Sequence, residues 1–169
     1  MNQSLSGTVY LVGSGPGDPE LLTVKAQRLI SQADALIYDS LVPQELLELV
    51  PSFCECHFVG KRKGHHSVPQ NQTNKVLVDM AKRHSKVVRL KGGDPFLFGR
   101  GAEEAAYLTG KGISVEVVPG VTSGIAVPAY MGIPVTHRRA GSSVTFVTGH
   151  EGVDKRRPSV DWRALAHAT

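Results

Sequence analysis

Cysteine is scarce in this chain of 169 residues, which contains only Cys54 and Cys56. Two cysteines cannot form the disulfide framework of a small secreted domain, so the composition favours a reducing compartment and predicts a cytoplasmic protein. The chain also has no apolar run long enough to span a bilayer, and its first residues lack the features of a secretory signal. We therefore expect no membrane partner.

Aromatic residues and the common nucleotide motifs are also rare. Aromatics make up 6% of the chain, and the net charge of +4 permits an anionic ligand without requiring nucleic acid. Neither a Gly-x-x-x-x-Gly-Lys-Ser/Thr loop nor a His-Glu-x-x-His motif occurs, so a nucleoside triphosphatase is not indicated. We expect no nucleic-acid partner. A nucleic-acid-binding module stays an alternative that a steep salt dependence of oligonucleotide binding would reveal.

A metal centre is not predicted. His65, His66 and the run Cys54-Glu55-Cys56-His57 do not supply a complete ligand set at standard spacing. In a strand, Cys54 and Cys56 would share one face, so a pair of small buried side chains is the simpler interpretation.

Five apolar runs alternate with helical patterns along residues 8–130. The predicted strands are 8–12, 35–38, 56–59, 87–90 and 115–118. The predicted helices are 22–33, 43–50, 76–84, 102–108 and 122–130. This alternation predicts the α/β class, with a mostly parallel five-stranded sheet flanked by helices on both faces.

The alternation breaks after residue 130. We predict an N-terminal α/β domain over residues 1–137, a linker over 138–142 and the beginning of a second α/β domain over 143–169. A strand at 143–148 and a helix at 162–168 are expected there. Because one strand and part of a helix cannot form a core, this segment either packs on the first domain or belongs to a truncated second one.

Two glycine-rich loops, each with an aspartate, follow two of the predicted strands. The first reads Gly-Ser-Gly-Pro-Gly-Asp at residues 13–18, and the second reads Gly-Gly-Asp-Pro at residues 92–95. Glycine lets a ligand approach the backbone, aspartate supplies an acceptor, and strand ends of α/β sheets are the usual ligand sites. The two loops therefore predict one small-molecule site.

A dinucleotide-binding oxidoreductase domain is the first alternative for the loop at residues 13–18. Asp39 follows at the distance of a ribose-binding acid. However, Asp18 stands where a third glycine is required, and Pro16 removes an N–H group from the presumed phosphate cradle. A plain tight turn is the second alternative.

Two basic groups of residues are candidates to bind an anion, although a solvated charged loop is an equally simple interpretation. They are residues 61–66, Lys-Arg-Lys-Gly-His-His, and residues 137–139, His-Arg-Arg. Asp39 and Lys61 end neighbouring predicted strands and form a possible acid–base pair. Asp39 could instead cap the following helix.

Seven short motifs occur in order and together resemble the tetrapyrrole methylases, above all the members that methylate uroporphyrinogen III. They are residues 13–18, 38–39 (Tyr-Asp), 59–62 (Val-Gly-Lys-Arg), 66–70 (His-Ser-Val-Pro-Gln), 92–96 (Gly-Gly-Asp-Pro-Phe), 119–123 (Pro-Gly-Val-Thr-Ser) and 134–138 (Pro-Val-Thr-His-Arg). The resemblance extends from about Val9 to Trp162.

The resemblance implies an S-adenosylmethionine-dependent C-methyltransferase that converts uroporphyrinogen III to precorrin-2 through precorrin-1, for sirohaem and cobalamin synthesis. S-adenosylhomocysteine would be the second product. It also implies a homodimer of two α/β domains with the cofactor between them. This chain would then be an incomplete, weakly active form. A methyltransferase for a later corrin precursor is a sibling alternative.

The same resemblance implies roles for individual residues. The implied cofactor contacts are Pro16, Gly92, Gly93, Asp94, Leu97, Thr122 and Ser123. Asp39 matches the proton acceptor and Lys61 the proton donor. The candidates to bind the carboxylates of the tetrapyrrole are Arg62, Lys63, His66, Arg138 and Arg139.

Overall fold

The structure, a computed structural model, describes residues 6–60, 69–141, 143–149 and 160–167. The strands are Thr8–Gly13 (β1), Ala35–Tyr38 (β2), Glu55–Phe58 (β3), Lys86–Lys91 (β4) and Ser114–Val118 (β5). The α-helices are Val24–Ile30 (α1), Gln70–Arg83 (α2), Gly101–Thr109 (α3), Ser123–Tyr130 (α4) and Trp162–Ala166 (α5). Short 3₁₀ helices span Pro19–Leu21 and Gln44–Leu49.

The five strands form one parallel sheet in the order β3-β2-β4-β1-β5. Their carboxyl ends therefore meet at a single edge. The chain leaves the adjacent strands β1 and β4 in opposite directions, because β2 lies on one side of this pair and β5 on the other. Such a reversal is where open α/β sheets form their ligand crevice, so the fold places the candidate site at the ends of β1 and β4.

Two apolar layers cover the sheet, one on each face. Because side chains alternate along a strand, β1 directs Val9 and Leu11 to one layer and Val12 to the other. Leu77 of α2 and Leu108 of α3 belong to the first layer. Helix α1 supplies the second layer. Burial on both faces explains why the strands read as nearly continuous apolar runs.

The predicted five-stranded parallel sheet is confirmed, and each strand lies within one residue of its predicted bounds. Three helices differ from the prediction. Helix α1 covers only Val24–Ile30 of the predicted 22–33. The segment predicted as a helix over 43–50 is a 3₁₀ helix. Helix α2 begins at Gln70 rather than at residue 76. The sequence pattern missed its first turns because their buried side chains, Thr73 and Asn74, are polar and interrupt the apolar periodicity.

The described residues from Gly124 onward form a second compact unit. The strand predicted at 143–148 is wrong, since residues 143–148 adopt no regular structure. A strand is stable only beside a neighbouring strand, and the described residues offer none to this segment. Helix α5 is present, and Asp161 caps it by accepting from the backbone N–H groups of Arg163 and Ala164. The domain bounds 1–137 and 143–169 stay predictions.

The expected pair of buried cysteines is wrong. Cys56 is exposed and Cys54 is only partly buried, because β3 lies at the edge of the sheet and begins after Cys54. Burial and the neighbouring Cys56 raise the pKa of the Cys54 thiol to about 12. Within the described ranges, no group of three or more His, Cys, Asp or Glu side chains could hold a metal ion. In those same ranges, every helix is too short or too polar to cross a membrane.

A charged cluster joins the beginning of β3 to the end of α2. Glu55 accepts from His84 Nε2 at 2.9 Å and from His57 Nε2 at 2.8 Å. Arg83 adds a bidentate ion pair to the same carboxylate, with N–O distances of 3.0 and 3.1 Å. The hydrogen bonds from His84, Arg83 and His57 lower the pKa of Glu55 to about 2.

This cluster predicts an acid-sensitive contribution to stability. The folded pKa of Glu55, about 2, lies below its ordinary value of 4.5, so the contribution is full above pH 4.5 and disappears as the pH falls towards 2. Glu55→Gln should therefore lower the melting temperature at pH 6 and have a smaller effect at pH 3, as followed by circular dichroism. The control is Glu48→Gln, which changes an exposed side chain. Equal shifts at both pH values would contradict the prediction.

Candidate functional site

Three loops converge at the carboxyl edge of the sheet, following β1, β4 and β5. The first two are joined directly through their backbones. Gly93 N donates to Gly15 O at 2.7 Å, and Gly15 N donates to Gly93 O at 3.3 Å. These two bonds form an isolated antiparallel bridge beyond the parallel sheet. The two glycine-rich loops predicted to frame one site are therefore in contact.

The three strand ends meet backbone to backbone. A Cβ atom added to Gly13 would lie 2.5 Å from Gly93 O and 2.7 Å from Gly120 Cα. A Cβ atom on Gly120 would collide with Gly93 O as well. Gly93 also has a φ of +64°, which residues with side chains rarely adopt. Only glycine allows this close approach, which brings the loops after β1, β4 and β5 into one surface.

Asp94 ties two of these loops together. Its Oδ1 accepts from the backbone N–H groups of Phe96 at 2.8 Å and Leu97 at 3.1 Å. Its Oδ2 accepts from Gly120 N at 3.1 Å. The carboxylate thus fixes the turn after β4 and anchors the loop after β5. Asp94 therefore has a structural role as a tie, which means that its hydrogen bonds hold the loops after β4 and β5 together.

The surface formed by these loops has room for a ligand beside its main chain. Gly17 has a φ of +134°, and a Cβ atom there would meet nothing within 4 Å. At Gly93 a Cβ atom would meet only Thr122 Cα, at 3.9 Å. The surface therefore offers main-chain groups to a ligand rather than a cluster of reactive side chains.

A network of buried charges lies at the end of β4. The side chains of Arg89 and Lys91 point to the same face of the strand, and each residue is only 5% exposed. Both pair with Glu104 of α3, which is fully buried. Arg89 also pairs with Asp39 at the end of β2, at 3.1 Å. Burial, together with the charge of Arg89, lowers the pKa of Lys91, and Glu104 opposes that shift.

Asp39 does not cap a helix. Its Oδ1 accepts from Leu41 N at 3.1 Å, which forms a local turn, and the following 3₁₀ helix has Pro43 at its N-cap position. The side chain is 22% exposed, so the carboxylate remains reachable at the carboxyl edge of the sheet. This placement leaves the acid–base interpretation of Asp39 open.

Comparison with known proteins assigns the fold to a family. The family model of the tetrapyrrole (corrin/porphyrin) methylases matches residues 8–169. The chain belongs to the tetrapyrrole methylases.

Two curated relatives and one solved structure illustrate the similarity. The uroporphyrinogen-III C-methyltransferase of Synechocystis sp. is 54% identical over 98% of this chain and 63% of its own length. The S-adenosyl-L-methionine-dependent uroporphyrinogen III methyltransferase of Methanosarcina barkeri is 57% identical over 95% of this chain and 63% of its own length. The chain thus spans less than two thirds of either relative.

The solved structure is the uroporphyrin-III C-methyltransferase of Thermus thermophilus complexed with S-adenosylhomocysteine. It superposes with a TM-score of 0.68 and 47% identity, over 81% of this chain and 53% of its own length.

The residues predicted to contact a cofactor in this tetrapyrrole methylase lie together on the three converging loops and at the first residue of α4. Pro16, Gly92, Gly93, Asp94, Leu97 and Thr122 are half-buried, and Ser123 is exposed. Arg138 and Arg139 are exposed in a turn of the second unit, which His137 and Gly141 close. Lys61, Arg62, Lys63 and His66 lie outside the described residues. A cavity of about 410 Å³ between β3 and α2 is lined by none of the candidate site residues that the structure describes.

Four charged residues at this edge were not predicted from the sequence: Arg89, Lys91, Arg100 and Glu104. The signal for the first two was present, because two cations at alternate positions interrupt an otherwise apolar strand. Arg100 occupies the left-handed region, with a φ of +58°, and pairs with Glu103 at 2.7 Å. This ion pair lowers the pKa of Glu103.

The role of Asp94 as a tie predicts a loss of stability when its carboxylate is removed. Asp94→Ala leaves three backbone N–H groups without their acceptor, so the free energy of unfolding should fall by about 1–3 kcal/mol. Urea denaturation measures this change, with Asp79→Ala on the exposed surface of α2 as the control. An unchanged unfolding midpoint for Asp94→Ala would show that the loops hold together without it.

Proposed function

We propose that the protein carrying this chain is an S-adenosylmethionine-dependent C-methyltransferase that acts on uroporphyrinogen III. The observation that carries the proposal is the backbone bridge between Gly15 and Gly93 at the reversal point of a tetrapyrrole methylase sheet. The two curated relatives, each more than half identical, carry this activity in their names.

The main-chain surface fits the proposed cofactor. Glycines with positive φ leave room for polar ligand atoms to approach backbone N–H and C=O groups closely. The residues proposed to hold S-adenosylmethionine are Pro16, Gly92, Gly93, Asp94, Leu97, Thr122 and Ser123. Asp94 also maintains the loops that carry the others. The bound sulfonium supplies an electrophilic methyl group. A relative was solved with S-adenosylhomocysteine bound, which supports this choice of ligand.

The reaction requires orientation more than side-chain chemistry. An electron-rich pyrrole carbon can attack the methyl group directly, and correct alignment alone can lower such a barrier by about 7–11 kcal/mol. The carbon–carbon bond forms as the carbon–sulfur bond breaks, and the sulfur keeps the electron pair. The resulting cationic ring must then lose a proton. We propose Asp39 as the acceptor of that proton and Lys61 as a proton donor.

Cationic side chains would recognise the carboxylates of the substrate. Arg62, Lys63, His66, Arg138 and Arg139 are proposed for this role, because guanidinium and ammonium groups bind carboxylates with charge-assisted hydrogen bonds. A second round of methylation would give precorrin-2 for sirohaem and cobalamin synthesis. We further propose that the protein is cytoplasmic and acts as a homodimer.

The proposal predicts separate effects on binding and on chemistry. In the full-length protein, Asp39→Asn should leave the affinity for S-adenosylhomocysteine unchanged and lower kcat by about 100-fold or more, because a general base is lost. Calorimetry measures the affinity, and mass spectrometry of methylated uroporphyrinogen III gives the rate. Asp79→Asn, on the exposed surface of α2, is the matched control.

Three outcomes would contradict the proposal. Tight binding of NAD in place of S-adenosylhomocysteine would favour the dinucleotide alternative. Methylation of a later corrin precursor, with none of uroporphyrinogen III, would favour the sibling activity. Unchanged kcat in Asp39→Asn would remove Asp39 from the chemistry.

A further inference from the structure

Arg89 places a charged side chain inside the sheet, where most side chains are apolar. It lies in the middle of the sheet, paired in register with Leu11 of β1 on one side and Ile37 of β2 on the other. Its side chain is only 6% exposed. Burying a guanidinium is unfavourable unless its charge and its hydrogen-bond donors are matched.

Three acceptors hold the Arg89 guanidinium from different directions. Nε donates to Glu104 Oε1 at 3.3 Å, Nη1 to the backbone oxygen of Leu90 at 2.9 Å, and Nη2 to Asp39 Oδ2 at 3.1 Å. A planar fork engaged at three points cannot rotate without breaking at least one of these bonds. The orientation of Arg89 is therefore fixed.

The buried end of this network is itself anchored. Glu104 Oε1 accepts from Gln70 Nε2 at 3.0 Å, and Lys91 Nζ lies 3.2 Å from Glu104 Oε2. These contacts tie β4 to the first residue of α2 and to the first turn of α3. Glu104 is thus a rigid support for the guanidinium, rather than a mobile counter-ion.

The other end of the network reaches solvent at Asp39. The Asp39 side chain is 22% exposed, whereas those of Arg89 and Glu104 are 6% and 0% exposed. Arg89 holds one carboxylate oxygen, and Leu41 N holds the other at 3.1 Å. Asp39 therefore presents its carboxylate to the carboxyl edge of the sheet in one orientation.

We propose that Arg89 is a positioning residue, which holds the Asp39 carboxylate where it takes the proton released after methyl transfer. The inference rests on the proposed function, and in particular on Asp39 as the proton acceptor. Arg89 itself touches neither substrate nor cofactor. Its effect reaches the reaction only through the orientation of Asp39.

A double-mutant cycle in the full-length protein tests this proposal. Arg89→Lys keeps the charge but replaces three donor nitrogens with one, which cannot reach Glu104, Leu90 O and Asp39 together, so Asp39 gains freedom. We expect kcat for methylation of uroporphyrinogen III to fall about tenfold to 100-fold, as expected for a displaced catalytic group. KM for the tetrapyrrole and the affinity for S-adenosylhomocysteine should stay unchanged. When Asp39→Asn is already present, Arg89→Lys should change kcat by no more than about twofold.

Two further variants distinguish the positioning role of Arg89 from a general loss of structure. Arg83→Met, which breaks the exposed bidentate pair with Glu55, should leave kcat unchanged. Glu104→Gln leaves both Arg89 and Asp39 in place but weakens the anchor, so it should lower kcat and be equally non-additive with Asp39→Asn. It provides the same test if Arg89→Lys does not fold.

Four results would overturn the inference. The first is an unchanged kcat in Arg89→Lys, and the second is independent, multiplicative effects of Arg89→Lys and Asp39→Asn. The third is a loss of S-adenosylhomocysteine affinity in Arg89→Lys equal to its loss of kcat. The fourth is an unchanged kcat in Asp39→Asn. If the parent protein does not methylate any tetrapyrrole, the proposed function itself has failed. If the parent and Asp39→Asn behave as proposed while Arg89→Lys matches the parent, only the positioning role has failed.

Discussion

The close approach of three glycines is the constraint on which the rest of the site depends. Gly13, Gly93 and Gly120 end or follow β1, β4 and β5, and a Cβ atom on Gly13 or on Gly120 would collide with the backbone oxygen of Gly93. This contact permits the bridge between Gly15 and Gly93, and it places Gly120 N within reach of the Asp94 carboxylate. A side chain at Gly13 or at Gly120 would separate the loops. The ligand surface therefore follows from backbone packing, and the identities of the neighbouring side chains matter less to its shape.

Buried charge is the second constraint, and it lies beneath the same edge of the sheet. Arg89, Lys91, Glu104 and Asp39 carry two positive and two negative charges, so the network is neutral as a whole. Removing one partner from such a network commonly costs about 3–5 kcal/mol, because the remaining charge stays buried without compensation. An apolar core of the same volume would be simpler and no less stable. The proposed positioning of Asp39 therefore explains the network better than stability does.

The sheet could be predicted from sequence because burial on both faces leaves continuous apolar runs, and each of the five strands was found. The glycine loops could be predicted to lie together because each follows a strand of one parallel sheet, whose carboxyl ends meet at one edge. The charge network could not, since pairing Arg89 with Glu104 and Asp39 requires knowing that β4 lies beside β2 and beneath α3. The strand at 143–148 was wrong for the same reason: local pattern does not reveal whether a partner strand is present. Helix α2 was predicted too short because its buried Thr73 and Asn74 are polar.

The separation between backbone and side-chain roles matches what methyl transfer demands. Alignment of a methyl group with a carbon nucleophile requires fixed geometry, and a surface of tightly packed main chain deforms less than one built from long side chains. Loss of a proton requires a titratable group, and the group proposed for that step is a side chain, Asp39. A carboxylate at a strand end would normally sample several orientations. Its two oxygens are instead held by Leu41 N and by the guanidinium of Arg89, which Glu104 fixes in turn, so the group proposed to accept the proton is also restrained.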